Sequence, residues 1–204
     1  MTTLLLVRHG ATAANLCRPY TLQGLRPDSE LAPPGLEQAR AAGRALSAFP
    51  VVQVYSSPLR RALATAAAIG AQLGLAVVVE PGLVEADVGL WSGLSWQEVE
   101  RRWPDAWRAF HDDPEHNGYL GGESLADVRS RVLPVVEQLL ARHDGQCLVA
   151  VAHGAVNRVL LAGWLGLPLG HARRLPQDNG GYSVVEFEGS SARVRSLNES
   201  AHLR

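Results

Sequence analysis

The stretch LLLVRHGATAAN, residues 4–15, runs four apolar residues straight into Arg8, His9 and Gly10. A guanidinium binds anions, an imidazole attacks or moves protons, and glycine lets backbone come close. Strands must end somewhere and glycine ends many of them, so the three residues read as half of a site only if the rest of the chain supplies the other half. Three segments do so. SSPLRRALATA brings Arg60 and Arg61, EPGLVEADVG brings Glu85, and VAHGAVNRVL brings His153 and Gly154. Two histidines, at least two arginines and a carboxylate make an anion site with a nucleophile or base and a proton donor.

The elements that must position these residues follow from hydrophobic patterning. TTLLLVR, VVQVYSS, LAVVVE and CLVAVAH read as short apolar strands. Helix patterns lie between them: GLEQARAAGRALSAF after Pro33-Pro34, LRRALATAAAIGAQL stopped by Gly74, SWQEVERRW with Ser95 and Glu98 at capping-box spacing, SLADVRSRVLPVVEQLLARH opened by Ser124, and AVNRVLLAGWL. YSVVEFEGSSARVRSL reads as a hairpin. Continuous apolar strands alternating with helices predict an α/β fold, a three-layer α/β/α sandwich around a mostly parallel central sheet. Ligands bind such sheets beyond the carboxyl ends of the strands, and Arg8, Arg61, Glu85 and His153 all follow predicted strands. Residues 89–122 break the alternation and carry Trp91, Trp96, Trp103 and Trp107. They read as a helical insertion, a lid over the strand C-terminal edge, which leaves 1–204 as a single domain.

Composition narrows the function classes. A formal charge of −1 speaks against nucleic acid as a partner, and no run approaches the roughly 20 apolar residues of a membrane span. MTTLLLVRHG has neither a basic n-region nor a cleavage site. Cys17 and Cys147 lack the spacing of a metal knuckle or redox pair and are expected in or near the core. A cytoplasmic protein is the expectation. All 19 basic residues are arginine, so a lysine phosphate loop and a lysine Schiff base are excluded, and a phosphate site here must use arginine. His111, Asp112, Asp113, Glu115 and His116 look like a metal cluster on paper but match no zinc spacing; they read as a solvated loop. The absence of a Gly-x-Ser-x-Gly elbow speaks against a serine hydrolase.

Five segments stand in order along nearly the whole chain: RHGAT with Asn15 after it, SSPLRRALATA, VEADVGLWSG, GGESLADVRSRV with Arg131, and VAHGAVNRVL. In that order they resemble the histidine phosphatase superfamily, the phosphoglycerate mutase-like fold. The resemblance selects Arg61 over Arg60 as the phosphate-binding arginine. It implies a metal-independent phosphomonoesterase of the histidine acid type that needs no cofactor. His9 would attack phosphorus and form a phosphohistidine, and Glu85 would protonate the leaving oxygen and then deprotonate water. His153, Arg8 and Arg61 would neutralise the phosphate oxygens, with Asn15, Gln23, Gly154 and backbone N–H groups near Gly10 completing the phosphate site. The substrate would be a small phosphomonoester and the protein a monomer or homodimer, with no nucleic acid or membrane partner.

The departures from the family pattern bear on the alternatives. Ala13-Ala14 stands where the glycolytic mutases carry a bulky residue before Asn15. That, with the short chain, weighs against a cofactor-dependent phosphoglycerate mutase. The loop TLQGLRPDSEL is one residue longer than the family's, with Glu30 where proline is usual. A phosphate-binding module without catalysis is the third reading, and the retention of every chemical residue weighs against it.

Overall fold

Alternation along β1 (Thr2–Arg8) sends Leu4 and Leu6 to one face and Leu5 and Val7 to the other, and all four are buried. A strand apolar on both faces needs a layer on each side. The computed structural model, which describes residues 1–204, supplies both. On one side Leu5 and Val7 pack against Ala42 and Leu46 of α2 (Pro33–Leu46) and Ala62, Ala66 and Ile69 of α3 (Arg60–Leu73). On the other, Leu4 and Leu6 meet Val128, Val132 and Val136 of α6 (Leu125–Arg142) and Val156 and Val159 of α7 (Gly154–Trp164). The short α1 (Ala13–Leu16) follows β1 directly.

The remaining strands are β2 (Val51–Ser56), β3 (Val77–Val79), β4 (Cys147–Ala152), β5 (Tyr182–Glu188) and β6 (Ser191–Glu199). They form one sheet in the order β3-β2-β4-β1-β5-β6, parallel through β1 and antiparallel in the hairpin. This is the expected mostly parallel three-layer fold. β3 is shorter than LAVVVE suggests. It lies at the sheet edge with Val78 and Val79 exposed, and Glu80 leaves the ladder to cap the 3-10 turn Pro81–Leu83. Gly74 ends α3 in the left-handed conformation, φ 69°, and α6 runs on through Pro134 behind its Ser124–Asp127 capping box.

Residues 89–122 hold α4 (Trp96–Arg102) and α5 (Pro104–Asp112). Their small core is separate from the main one: Trp91 is fully buried with Leu22, Val99 and Phe110, and meets Phe110 edge-on at 5.3 Å. Leu22 also donates its N–H to the Leu94 carbonyl, so the loop before α2 and this insertion close together. The cysteines divide: Cys147 is buried as expected, but Cys17 is exposed, because the turn after α1 carries it out to solvent.

The loop after β1 rests on the start of α2 with no room to spare. A Cβ on Gly35 would stand 2.0 Å from the Ala11 carbonyl oxygen, and one on Gly10 2.3 Å from the Gly35 carbonyl oxygen. Gly163 in α7 has nothing within 4 Å of its added Cβ. Gly35→Ala is therefore expected to destabilise by about 1–3 kcal/mol, the usual cost of overpacking, and to lower activity by displacing His9. Gly163→Ala should be neutral or stabilising by up to about 1 kcal/mol. Chemical denaturation of the two variants checks this; equal effects would contradict it.

Candidate active site

The parallel register brings three strand ends level. Arg8 lies opposite Ala152 and Ser56 opposite Val151, so His9, Ser57 and His153 are each the first residue beyond a strand. The His9 and His153 rings are 5.1 Å apart between centroids, and both are buried. His9 Nδ1 stands 2.7 Å from the Gly10 carbonyl oxygen. A carbonyl only accepts, so Nδ1 carries the proton and Nε2 keeps its lone pair. Burial first, then Arg8 and Arg61, hold the His9 pKa well below the ordinary histidine value, against the opposing pull of the Gly10 bond. A neutral imidazole with a free Nε2 is a nucleophile.

His153 has the opposite tautomer. Ser57 Oγ accepts from the Leu59 N–H at 3.3 Å, and the one acceptor that its own proton reaches is His153 Nε2 at 2.7 Å. The ring proton of His153 then sits on Nδ1, a buried donor without a partner. Burial, Arg61, His9 and Arg8, in that order, depress its pKa far below normal.

Around these rings five unpartnered buried polar atoms are donors: Arg8 Nε, Gln23 Nε2, Arg61 Nε and Nη1, and His153 Nδ1; one acceptor, Asn157 Oδ1, is also unpartnered one turn after His153. Each residue is fixed by its other bonds. Arg8 donates through Nη1 to the Gln177 carbonyl, Arg61 through Nη2 to the Gly24 carbonyl, and Gln23 Oε1 accepts from the Thr12 hydroxyl. Arg61, fully buried, has Asp28 only at 3.7 Å. Burial lowers the pKa of both arginines, yet a guanidinium keeps its charge in proteins. Five donors left unpaired in one place suit a ligand rich in acceptors and negatively charged.

Glu85 faces this cluster from the loop after β3, with Oε1 accepting from the Ala86 N–H and Oε2 from the Ala155 N–H at the start of α7. A buckle behind it sets its place. Arg131 pairs with Glu123 through Nε–Oε1 at 2.7 Å and Nη2–Oε2 at 3.0 Å, and also donates to the Glu85 and Gly82 carbonyls. Glu123 in turn accepts from the Asp87 N–H. Asp87 spends Oδ1 on the Gly89 N–H and so serves the turn.

A cavity of about 360 Å³ opens beyond these groups and is lined by Arg8, Gln23, Glu85 and Gly154 among the residues expected from sequence. The buried His9, Arg61 and His153 adjoin this lining: His9 follows Arg8, His153 precedes Gly154, and Arg61 bonds Gly24 beside Gln23. Two expected contributors are committed elsewhere. The Gly10 N–H donates to Thr65 Oγ1, so what Gly10 contributes is the close approach to Gly35. Asn15 Oδ1 accepts from the Thr12 N–H as part of the α1 capping box, and from Asn179 Nδ2. Arg60 is exposed and pairs with Glu30, and Asp28 accepts from its N–H. His116 pairs with Asp113, His111 turns Nε2 to Arg173, and these residues gather no metal-binding group.

Sequence reasoning missed Ser57, Gln177, Asn179 and Arg158. Arg158 was open to detection, since it lies four residues after Gly154 and so on the same face of a helix whose one other polar side chain is Asn157. The others act through backbone or through His153, and no spacing announces them.

The family model of the histidine phosphatase superfamily (branch 1) matches residues 4–200. Phosphoserine phosphatase 1 of Hydrogenobacter thermophilus is 35% identical over 203 residues, 100% of this chain and 95% of that protein. Glucosyl-3-phosphoglycerate phosphatase of Mycolicibacterium vanbaalenii is 37% identical over 173 residues, 81% of this chain and 75% of that protein. Among solved structures, Bacillus stearothermophilus YhfR superposes with a TM-score of 0.91 at 29% identity, covering 100% of both chains.

The two buried neutral histidines set a pH dependence. Each has a folded pKa below its unfolded value of about 6.5, so below that pH the unfolded chain binds protons that the fold refuses. Stability is full above about pH 6.5 and falls as pH drops toward the depressed folded values, by up to about 1.4 kcal/mol per pH unit per histidine. His116, raised by Asp113, opposes this but is exposed and screened. Unfolding midpoints measured from pH 7.5 to 5 in phosphate-free buffer should fall, and the His9→Gln/His153→Gln double variant should flatten the slope. An unchanged slope would contradict the buried neutral state.

Proposed function

The chain belongs to the histidine phosphatase superfamily, branch 1, and from that premise we propose that it hydrolyses a small phosphomonoester through a phosphohistidine on His9. The observation that carries the reading is the set of five buried, unpartnered donors beside a neutral imidazole with a free Nε2. A phosphomonoester brings close to two negative charges and three acceptor oxygens. Arg8, Arg61, Gln23 and His153 hold them and offset the charge that repels a nucleophile. His9 Nε2 then forms the N–P bond as the P–O bond to the leaving group breaks. Glu85 gives that oxygen its proton, next takes one from water, and the water oxygen displaces His9 to release inorganic phosphate.

Guanidiniums carry the positive charge in this scheme, so catalysis proceeds without a metal or a bound cofactor. Residues 1–204 act as one domain, with 89–122 as the lid that excludes water from the cavity. Relatives named for phosphoserine and for glucosyl-3-phosphoglycerate support a small phosphorylated metabolite as substrate. No helix is long and apolar enough to cross a membrane, and the unpaired thiols Cys17 and Cys147 suit the reducing cytoplasm. The protein works there as a monomer or homodimer, without nucleic acid or membrane.

Turnover should survive EDTA and be abolished in His9→Ala. Glu85→Gln should slow phosphorylation by alkyl phosphates by about 10²–10⁴, the usual worth of general acid catalysis. For p-nitrophenyl phosphate, whose leaving group hardly needs a proton, the loss should be far smaller. Rapid-quench kinetics separate that step from hydrolysis of the intermediate. Equal losses for both ester types would remove Glu85 from the acid role, and loss of activity on chelation would reject the metal-free scheme.

A further inference from the structure

Arg8 reaches the cavity on a long side chain, and its guanidinium makes one hydrogen bond, from Nη1 to the Gln177 carbonyl. No carboxylate stands within ion-pair distance of it, and Nε is left without a partner. The direction of Arg8 therefore depends on where one backbone carbonyl sits. That carbonyl belongs to the irregular stretch 175–178, which lies in no helix or strand. The stretch is tied at either end: Arg158 Nε donates to the Leu175 carbonyl at 2.9 Å, and the Asp178 N–H donates to Asn198 Oδ1 at 2.6 Å. Gln177 itself has one tie to the body of the protein besides Arg8. Asn157 Nδ2 donates to Gln177 Oε1 at 3.0 Å, while Gln177 Nε2 only reaches back to the Pro176 carbonyl.

Asn157 is an unusual residue for its place. It is fully buried in α7, whose other buried side chains are all apolar, and its Oδ1 has no partner. A buried acceptor left unpaired is costly, and a leucine of similar size would avoid that cost. The steps of phosphoryl transfer make no use of the amide. We propose that Asn157 is a positioning residue that acts through Gln177 to aim the Arg8 guanidinium at the phosphoryl group. The inference rests on the phosphatase reading, in which Arg8 binds the phosphate. Asn157 lies one turn after His153, on the same side of α7. The helix that presents His153 thus also sets Arg8, which comes from β1. Both donors are referred to one rigid element, and a donor field fixed in this way is what stabilises a transition state.

The test uses inorganic phosphate as the probe, with its dissociation constant measured by titration calorimetry. Asn157→Leu is made in the unmodified protein and again in an Arg8→Lys background. In the unmodified protein it should weaken phosphate binding about tenfold, the worth of one charge-assisted hydrogen bond, and lower kcat/KM for p-nitrophenyl phosphate by a similar factor. Lysine keeps the charge but lacks the planar fork whose direction the carbonyl sets. In the Arg8→Lys background the added substitution should therefore change phosphate binding by less than about twofold. A staple that merely stabilised the fold would act equally in both backgrounds. Gln177→Ala cuts the same tie in a segment that its flanking bonds still hold, and should repeat the result in both backgrounds; it decides alone if Asn157→Leu fails to fold. Unchanged phosphate binding, or an equal loss with and without Arg8→Lys, overturns the positioning role, while turnover by the unmodified protein keeps the phosphatase reading intact. An unmodified protein that hydrolyses no ester overturns that reading and the inference with it.

Discussion

A fully buried guanidinium with only one short hydrogen bond is the constraint on which the site depends. Arg61 keeps two nitrogens unpartnered and its nearest carboxylate oxygen at 3.7 Å. Such a group is costly to bury, and an unpaired buried charge is more costly still. The surroundings must therefore make its escape to solvent more costly than its burial. The first turn of α3, the Gly24 carbonyl and the close-packed cores on both sides of the sheet do so. What remains is a donor field fixed before any substrate arrives, so that little rearrangement is needed when charge shifts in the reaction.

The same field decides the state of the histidines. Two cations and burial keep both rings neutral, which a nucleophile requires, and their backbone and hydroxyl partners give them opposite tautomers. His9 offers a lone pair and His153 a proton. The arginines around the site divide the work in the same way. Arg131 is tied to Glu123 and to backbone carbonyls, so its charge is spent on holding the Glu85 loop. Arg8 lines the cavity and Arg61 adjoins it, and no carboxylate pairs with either as closely. Pairing separates Arg131 from Arg8 and Arg61 more clearly than burial does.

The sequence showed most of the scaffold because apolar runs, capping boxes and the αL Gly74 are local signals. TTLLLVR names the limits of β1 residue for residue, and Ser95–Glu98 and Ser124–Asp127 mark two helix starts. Residues that follow strands were legible for the same reason. The chain could not tell where a backbone N–H is spent. Gly10 looked like a donor to phosphate, but Thr65, far along in α3, takes that hydrogen. Ser57 fixes the proton on His153 through a contact spanning 96 residues, and Cys17 left the core because a turn only a few residues away faces outward. Such pairings are set by tertiary register, which patterning fixes only to the level of the strand.

The central claim is that His9 attacks through Nε2, because the Gly10 carbonyl occupies Nδ1. Trapping the phosphoenzyme by rapid quench into alkali and locating the phosphoryl group by mass spectrometry and phosphorus NMR tests it most directly. A single phosphohistidine at His9, substituted on Nε2, is the predicted result; phosphate on His153, on another residue, or on Nδ1 of His9 would contradict it.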